Sequence, residues 1–96
     1  MTRRGRSYRP AVPGSPGELI RERLFRRGRT QAWLAEQTGL SVKHVSQLLT
    51  GRVTLTAPVA VAIATALRIS ARRLMMMQVE YDLHYARAVL AEKELA

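Results

Sequence analysis

Apolar positions along the chain recur at helical spacing in five stretches, separated by Gly, Ser and Thr. Ile20 and Leu24, four apart, give an inward side to a stretch that opens at Pro16 and closes at Gly28. Proline is tolerated in a first turn, where its missing N–H would have had no partner, and Gly suits the left-handed residue that ends a helix. The spacing predicts a helix from Pro16 to about Arg27. Thr30 is a good N-cap for a second helix, Gln31 to Thr38, with Leu34 and Ala35 inward and Gly39 as its stop. Ser41 opens a third, Val42 to about Thr50, in which Val45, Leu48 and Leu49 follow the i, i+3, i+4 rule and Gly51 ends the run. Thr56 is the expected cap of a fourth helix, with Pro58 in its first turn and Ala60, Ile63, Ala64 and Leu67 on its inner side. Ser70 caps a fifth that reaches about Leu95, and no strand is predicted.

The fifth helix carries two apolar stripes. Leu74, Met77, Tyr81, His84 and Ala88 step by three and four, and so do Met76, Val79, Leu83, Ala86 and Leu90. At about 100° per residue the stripes fall on opposite sides of the helix. Glu80 and Arg87 separate them on one flank, and Gln78, Asp82 and Lys93 on the other. One side packs on the preceding helices, which puts His84 on a partly buried face. The other, through Met76, Val79, Leu83, Ala86 and Leu90, is a dimer or partner surface, because an exposed apolar stripe of that length is a liability on a monomer.

Helices two and three are joined so tightly, with only Leu40 between Gly39 and Ser41, that they cannot lie antiparallel. They must cross at a large angle, as in a helix-turn-helix. Val45, Leu34, Ala35 and Leu48 are expected to be core residues that fix this crossing.

Charge sharpens the picture. The 96 residues carry a formal net charge of +9, and 47% of them are hydrophobic, too many for a wholly disordered chain. Residues 1–55 hold eleven basic and three acidic side chains, against five and four in residues 56–96. The front half is therefore the part that attracts a polyanion, over a screening length of about 8 Å. Residues 1–15 read as a flexible basic arm rich in Pro and Gly, whose Arg3, Arg4, Arg6 and Arg9 suit phosphates or a minor groove. Residues 16–69 then form the helix-turn-helix domain, and residues 70–96 the C-terminal helix for dimerisation or partner contact. No apolar run approaches 18 residues, and the Arg-rich start lacks the apolar segment of a secretion signal, so a cytoplasmic, nucleoid-associated protein is expected.

Catalytic and metal chemistry find little support. There is no Cys, and His44 and His84 stand forty residues apart without paired carboxylates nearby. Ser residues fall mostly at helix caps, with no base to activate them. No enzyme, no metal and no cofactor is expected.

The stretch from Thr30 to Gly51 is more specific than any of these features. TQAWLA, three residues, Gly39, one residue, Ser41, then Val45, Ser46, Leu48 and Gly51 resembles the XRE, or Cro/C1-type, helix-turn-helix. PGELIRERL resembles the PGEILREEL opening of the HigA-type antitoxin subgroup. SVKHVSQLLTGRVTL is similar to that group's third helix and following loop. SARRLMMMQVEYDL resembles its fifth-helix segment, commonly nearer SPEFWLNLQARYDL. The likeness covers roughly residues 14 to 85. Two departures stand out: Arg73-Leu74 replaces the usual Phe-Trp pair, and Trp33 stands where the family commonly has Glu or another polar residue. Trp33 either packs over the first helix, the reading favoured here, or lies beside a DNA backbone.

The resemblance implies an all-α, five-helix Cro/C1-type (lambda-repressor-like) helix-turn-helix domain, with a basic disordered N-terminal arm and a long C-terminal helix. It implies a sequence-specific repressor of double-stranded DNA, acting on a palindromic operator as a homodimer. As an antitoxin it would repress its own operon and bind a ribonuclease-type toxin. In this reading Val42, Lys43, Ser46 and Gln47 face bases, and His44 faces a base or a phosphate. Gln31, the family's usual clamp, contacts phosphate together with Ser41, Arg52 and Arg29, while Arg26 and Arg27 add long-range attraction only. A phage Cro or immunity-type regulator without a toxin, and a basic adaptor acting through the fifth helix, remain open alternatives. An RNA-binding module lacks the stacking aromatics it needs.

Overall fold

A computed structural model of the protein describes residues 14–95. Five helices follow in order: α1 Pro16–Arg26, α2 Gln31–Thr38, α3 Val42–Leu49, α4 Ala57–Leu67 and α5 Ala71–Leu95, with no strand among the described residues. The caps read from the sequence act at three helices. Thr30 Oγ1 accepts from the Trp33 N–H, Ser41 Oγ from the His44 N–H and Ser70 Oγ from the Arg73 N–H, each at 3.0 Å. Thr56 is the exception: it stands at the N-cap of α4 with extended backbone, but its side chain makes no capping bond.

One core unites the helices. Ile20 and Leu24 of α1, Leu34 and Ala35 of α2, Val45, Leu48 and Leu49 of α3, Leu55 of the next loop, Ala60, Ile63, Ala64 and Leu67 of α4, and Leu74 of α5 are all buried. Truncating one of the large members to Ala would cost about 2–5 kcal/mol. Leu74, which stands in place of an aromatic in the resembled motif, is fully buried and is the one apolar residue of α5 in the buried core among the described residues. The Ala-rich face of α4 lets that helix approach both α2 and α5.

A close backbone contact joins α1 to α3. A Cβ on Gly17 would lie 2.6 Å from the carbonyl oxygen of Leu48, 2.8 Å from that of Leu49 and 2.9 Å from Leu49 Cα. All three atoms are backbone, so no rotamer change relieves the overlap. The first turn of α1 therefore rests directly on the last turn of α3. Glycine inside a helix costs about 1 kcal/mol relative to Ala, and the close approach explains why the position accepts that cost.

Two polar contacts brace the ends of the helices. Arg27 Nη1 donates to the Leu67 carbonyl at 3.0 Å. This satisfies one of the orphan acceptors where α4 ends and sets a cation against the negative end of its dipole. Arg27 thus has a structural partner, beyond the long-range attraction expected of it. Gln78, expected on a flank between the two apolar stripes, is 8% exposed. Its Oε1 accepts from the Leu55 N–H at 3.0 Å and its Nε2 donates to Asp82 Oδ1 at 2.9 Å. Leu55 is itself buried, so without Gln78 its amide would lose its partner at a cost of about 1–3 kcal/mol.

α5 outruns the body it packs on. Leu74 is buried and Met77 and Tyr81 are half-buried, but His84 and every later described side chain are exposed. The partly buried position expected for His84 is therefore corrected. The periodicity of the inner stripe continues past the point where α1 and α4 can cover it.

The Gly17 contact yields a stability prediction. Gly17→Ala gains helix propensity but drives a methyl into fixed backbone, and overpacking of this kind costs about 1–3 kcal/mol. The urea midpoint should fall accordingly, and an unchanged midpoint would mean that α1 can shift off α3 freely.

Candidate nucleic-acid interface

The exposed side of α3 is set by its buried side. Val45, Leu48 and Leu49 point into the core, so the residues between them turn outward. Val42 and Lys43 are exposed at the start of the helix, and His44, Ser46 and Gln47 are half-buried along it. Gly39, with φ at 79°, takes the left-handed conformation that ends α2, and its N–H donates to the Ala35 carbonyl at 2.9 Å. An L side chain would be strained there. This glycine lets Leu40 and Ser41 start α3 at once.

The loop after α3 returns a cation to the same face. The Arg52 N–H donates to the Gln47 carbonyl at 2.9 Å, and Gly51 before it has φ at 75°. Lys43, Ser46, Gln47, Thr50 and Arg52 together line one open hollow. The structure thus brings four of the candidate residues together and adds Thr50, which sequence reasoning passed over as the end of a helix. Thr50 Oγ1 donates to the Ser46 carbonyl at 3.0 Å, leaving its oxygen lone pairs at the rim. Its signal was its i+3 and i+4 spacing from Gln47 and Ser46.

The other candidates flank this hollow. Val42 and His44 lie outside it. Ser41 is exposed at the N-terminus of α3, Gln31 is half-buried at that of α2, and Arg29 is exposed just before α2. Neither α2 nor α3 has an acidic residue in its first turn, so the positive ends of both helix dipoles are left uncompensated. Donors of this kind favour an anion such as a phosphate. Arg3, Arg4, Arg6 and Arg9 lie outside the described residues.

Trp33 has two kinds of contact. It is half-buried against the core, and the Arg29 guanidinium carbon lies 4.8 Å from its ring centroid.

The family described as a helix-turn-helix domain matches residues 17–75. The chain belongs to the XRE-type helix-turn-helix family. The match takes in Gly17, both helices of the motif and the buried Leu74, and it ends before the outer stripe of α5. Two solved structures are similar to this helix-turn-helix protein over more of its length. One is PA4674 from Pseudomonas aeruginosa in complex with its 28-bp operator DNA, at 27% identity and a TM-score of 0.75, covering 88% of this chain and 91% of that one. The other is the Pseudomonas aeruginosa antitoxin HigA with the higBA promoter, at 28% identity and a TM-score of 0.75, covering 88% and 90%. Among curated proteins there is no significant match. Among the described residues no cluster of His, Asp or Glu is arranged to hold a metal ion, and no helix is long and apolar enough to cross a membrane.

Proposed function

We propose that this helix-turn-helix protein is a sequence-specific, double-stranded DNA-binding repressor of the HigA antitoxin type, acting on the nucleoid. The carrying observation is the hollow in which Lys43, Ser46, Gln47 and Thr50 of α3 and its exit stand beside Arg52. The family, and the operator and promoter complexes of the two similar proteins, support DNA as the ligand of that hollow. The similarity to the antitoxin HigA favours the antitoxin branch over a phage-type regulator.

In this reading α3 enters the major groove. Lys43 donates to guanine O6 or N7, and Gln47 pairs bidentately with adenine N6 and N7. Val42 packs on a thymine methyl, Ser46 contacts the next base edge, and His44 meets a base or a phosphate. Gln31, Ser41, Arg29 and Arg52 hold phosphates, which fixes register without reading sequence. The chain is a binding module, and no residue is assigned a catalytic step. An antitoxin that represses its own operon must recognise DNA upstream of its own gene. A gel shift with that upstream duplex should show retention that survives competition by unrelated duplex. Lys43→Ala with Gln47→Ala should abolish the preference while the melting temperature holds. Preference that survives the double change would move the reading face elsewhere.

The outer stripe of α5 supports a second element, a homodimer. Met76, Val79, Leu83 and Leu90 are 42–57% exposed, and Ala86 lies exposed among them. Pairing them across a two-fold axis would remove an apolar strip from water and give two reading helices. Sedimentation velocity should find a dimer, and Val79→Glu with Leu83→Glu should convert it to a monomer. A monomeric wild type would contradict the dimer and leave the stripe to a different protein, such as a ribonuclease-type toxin.

A further inference from the structure

Three arginines crowd the turn between α1 and α2, and each is held differently. Arg26 Nη2 stands 2.7 Å from Glu22 Oε2. Arg27 Nη1 donates to the Leu67 carbonyl. Arg29 has neither kind of partner: among the described residues no carboxylate is within ion-pair distance of it. Instead its guanidinium lies over the ring of Trp33, 4.8 Å from the centroid.

The difference in partner chemistry matters. A carboxylate would hold the guanidinium in place but would cancel its charge and occupy its N–H donors. An aromatic face attracts the cation through its quadrupole and does neither. The ring offers the guanidinium N–H groups no oxygen acceptor, so they remain available to a ligand. The ring is itself well fixed. The side chain packs half-buried against the core, and it leaves α2 in the first turn, where the Trp33 backbone N–H donates to the Thr30 Oγ1 cap at 3.0 Å. Arg29 is therefore ordered, fully charged and open to a ligand at the same time. Ordering a long side chain beforehand reduces the entropy lost when it binds, and a planar fork matches the paired oxygens of a phosphate.

We propose that Trp33 is a positioning residue that holds Arg29 ready for a DNA backbone phosphate. The proposal rests on the DNA-binding reading above and assigns a role to a residue that reading does not use. Trp33 itself does not read bases, so its effect is the same on every sequence.

The test is a double-mutant cycle on the full chain. A fluorescein-labelled duplex of about 30 bp and fixed arbitrary sequence is titrated by anisotropy over about 50–200 mM salt. Arg29→Ala should weaken binding and reduce the slope of log K against log salt by about 0.9, the value of one phosphate contact. Trp33→Leu, which keeps apolar bulk but has no π face, should weaken binding about two- to five-fold. Trp33→Phe should lose less. On the Arg29→Ala background Trp33→Leu should add nothing. If Trp33→Leu weakens binding by the same factor with and without Arg29, or not at all, the positioning role is overturned and the DNA reading stands. If the wild-type chain shows no salt-dependent binding of the duplex, the reading fails and the proposal with it. Should Trp33→Leu fail to fold, Trp33→Phe carries the cycle, and zero coupling to Arg29→Ala overturns the proposal.

Discussion

The placement of α3 depends on one backbone-to-backbone contact. Gly17 allows the first turn of α1 to lie on the Leu48 and Leu49 carbonyls at a distance no other residue permits. α3 is only eight residues long. A helix that short is marginal by itself and takes its stability from packing. Its inner side rests on the core through Val45, Leu48 and Leu49, and its C-terminal end is pinned by α1. The outward direction of Lys43, Ser46 and Gln47 follows from those restraints, since a rotation of α3 would bury the polar face and expose Val45.

The polar groups around this frame divide into those that brace it and those that remain open. Gln78 reaches from α5 to the buried Leu55 amide and so ties down the loop that begins at Arg52. Arg27 closes the end of α4, and Glu22 holds Arg26. Lys43, Arg52 and Arg29 face solvent with no carboxylate in ion-pair contact. Lys43 and Arg52 share one hollow, and uncompensated cations gathered in this way attract a polyanion.

Much of the fold was legible because its signals are local. Ser41 and Thr30 announce helix starts, Gly39 and Gly51 announce ends, and the apolar steps in α2, α3 and α4 give the right inner faces within each helix. The outward residues of α3 followed from the same periodicity. What the sequence hid is non-local. Gln78 reads only as a flank residue on a helical wheel, because its partner lies 23 residues back in a loop. The Gln, Tyr and Asp of LMMMQVEYDL match the resembled motif and were the available signal. Gly17 reads as an ordinary first-turn glycine until α3 is laid against it, although a glycine inside a helical pattern is itself a hint of close packing. Arg27 was counted as diffuse charge because its acceptor sits forty residues away. His84 was misplaced because periodicity reports which side a residue is on and not whether the body extends that far.

The central claim is that the exposed face of α3 reads DNA bases in a paired arrangement. Selection from random duplex DNA with the purified chain tests it most directly. The account predicts enrichment of a palindromic consensus whose half-sites are centred about 10–10.5 bp, or a multiple, apart. Enrichment of no consensus, with binding governed by salt alone, would contradict it.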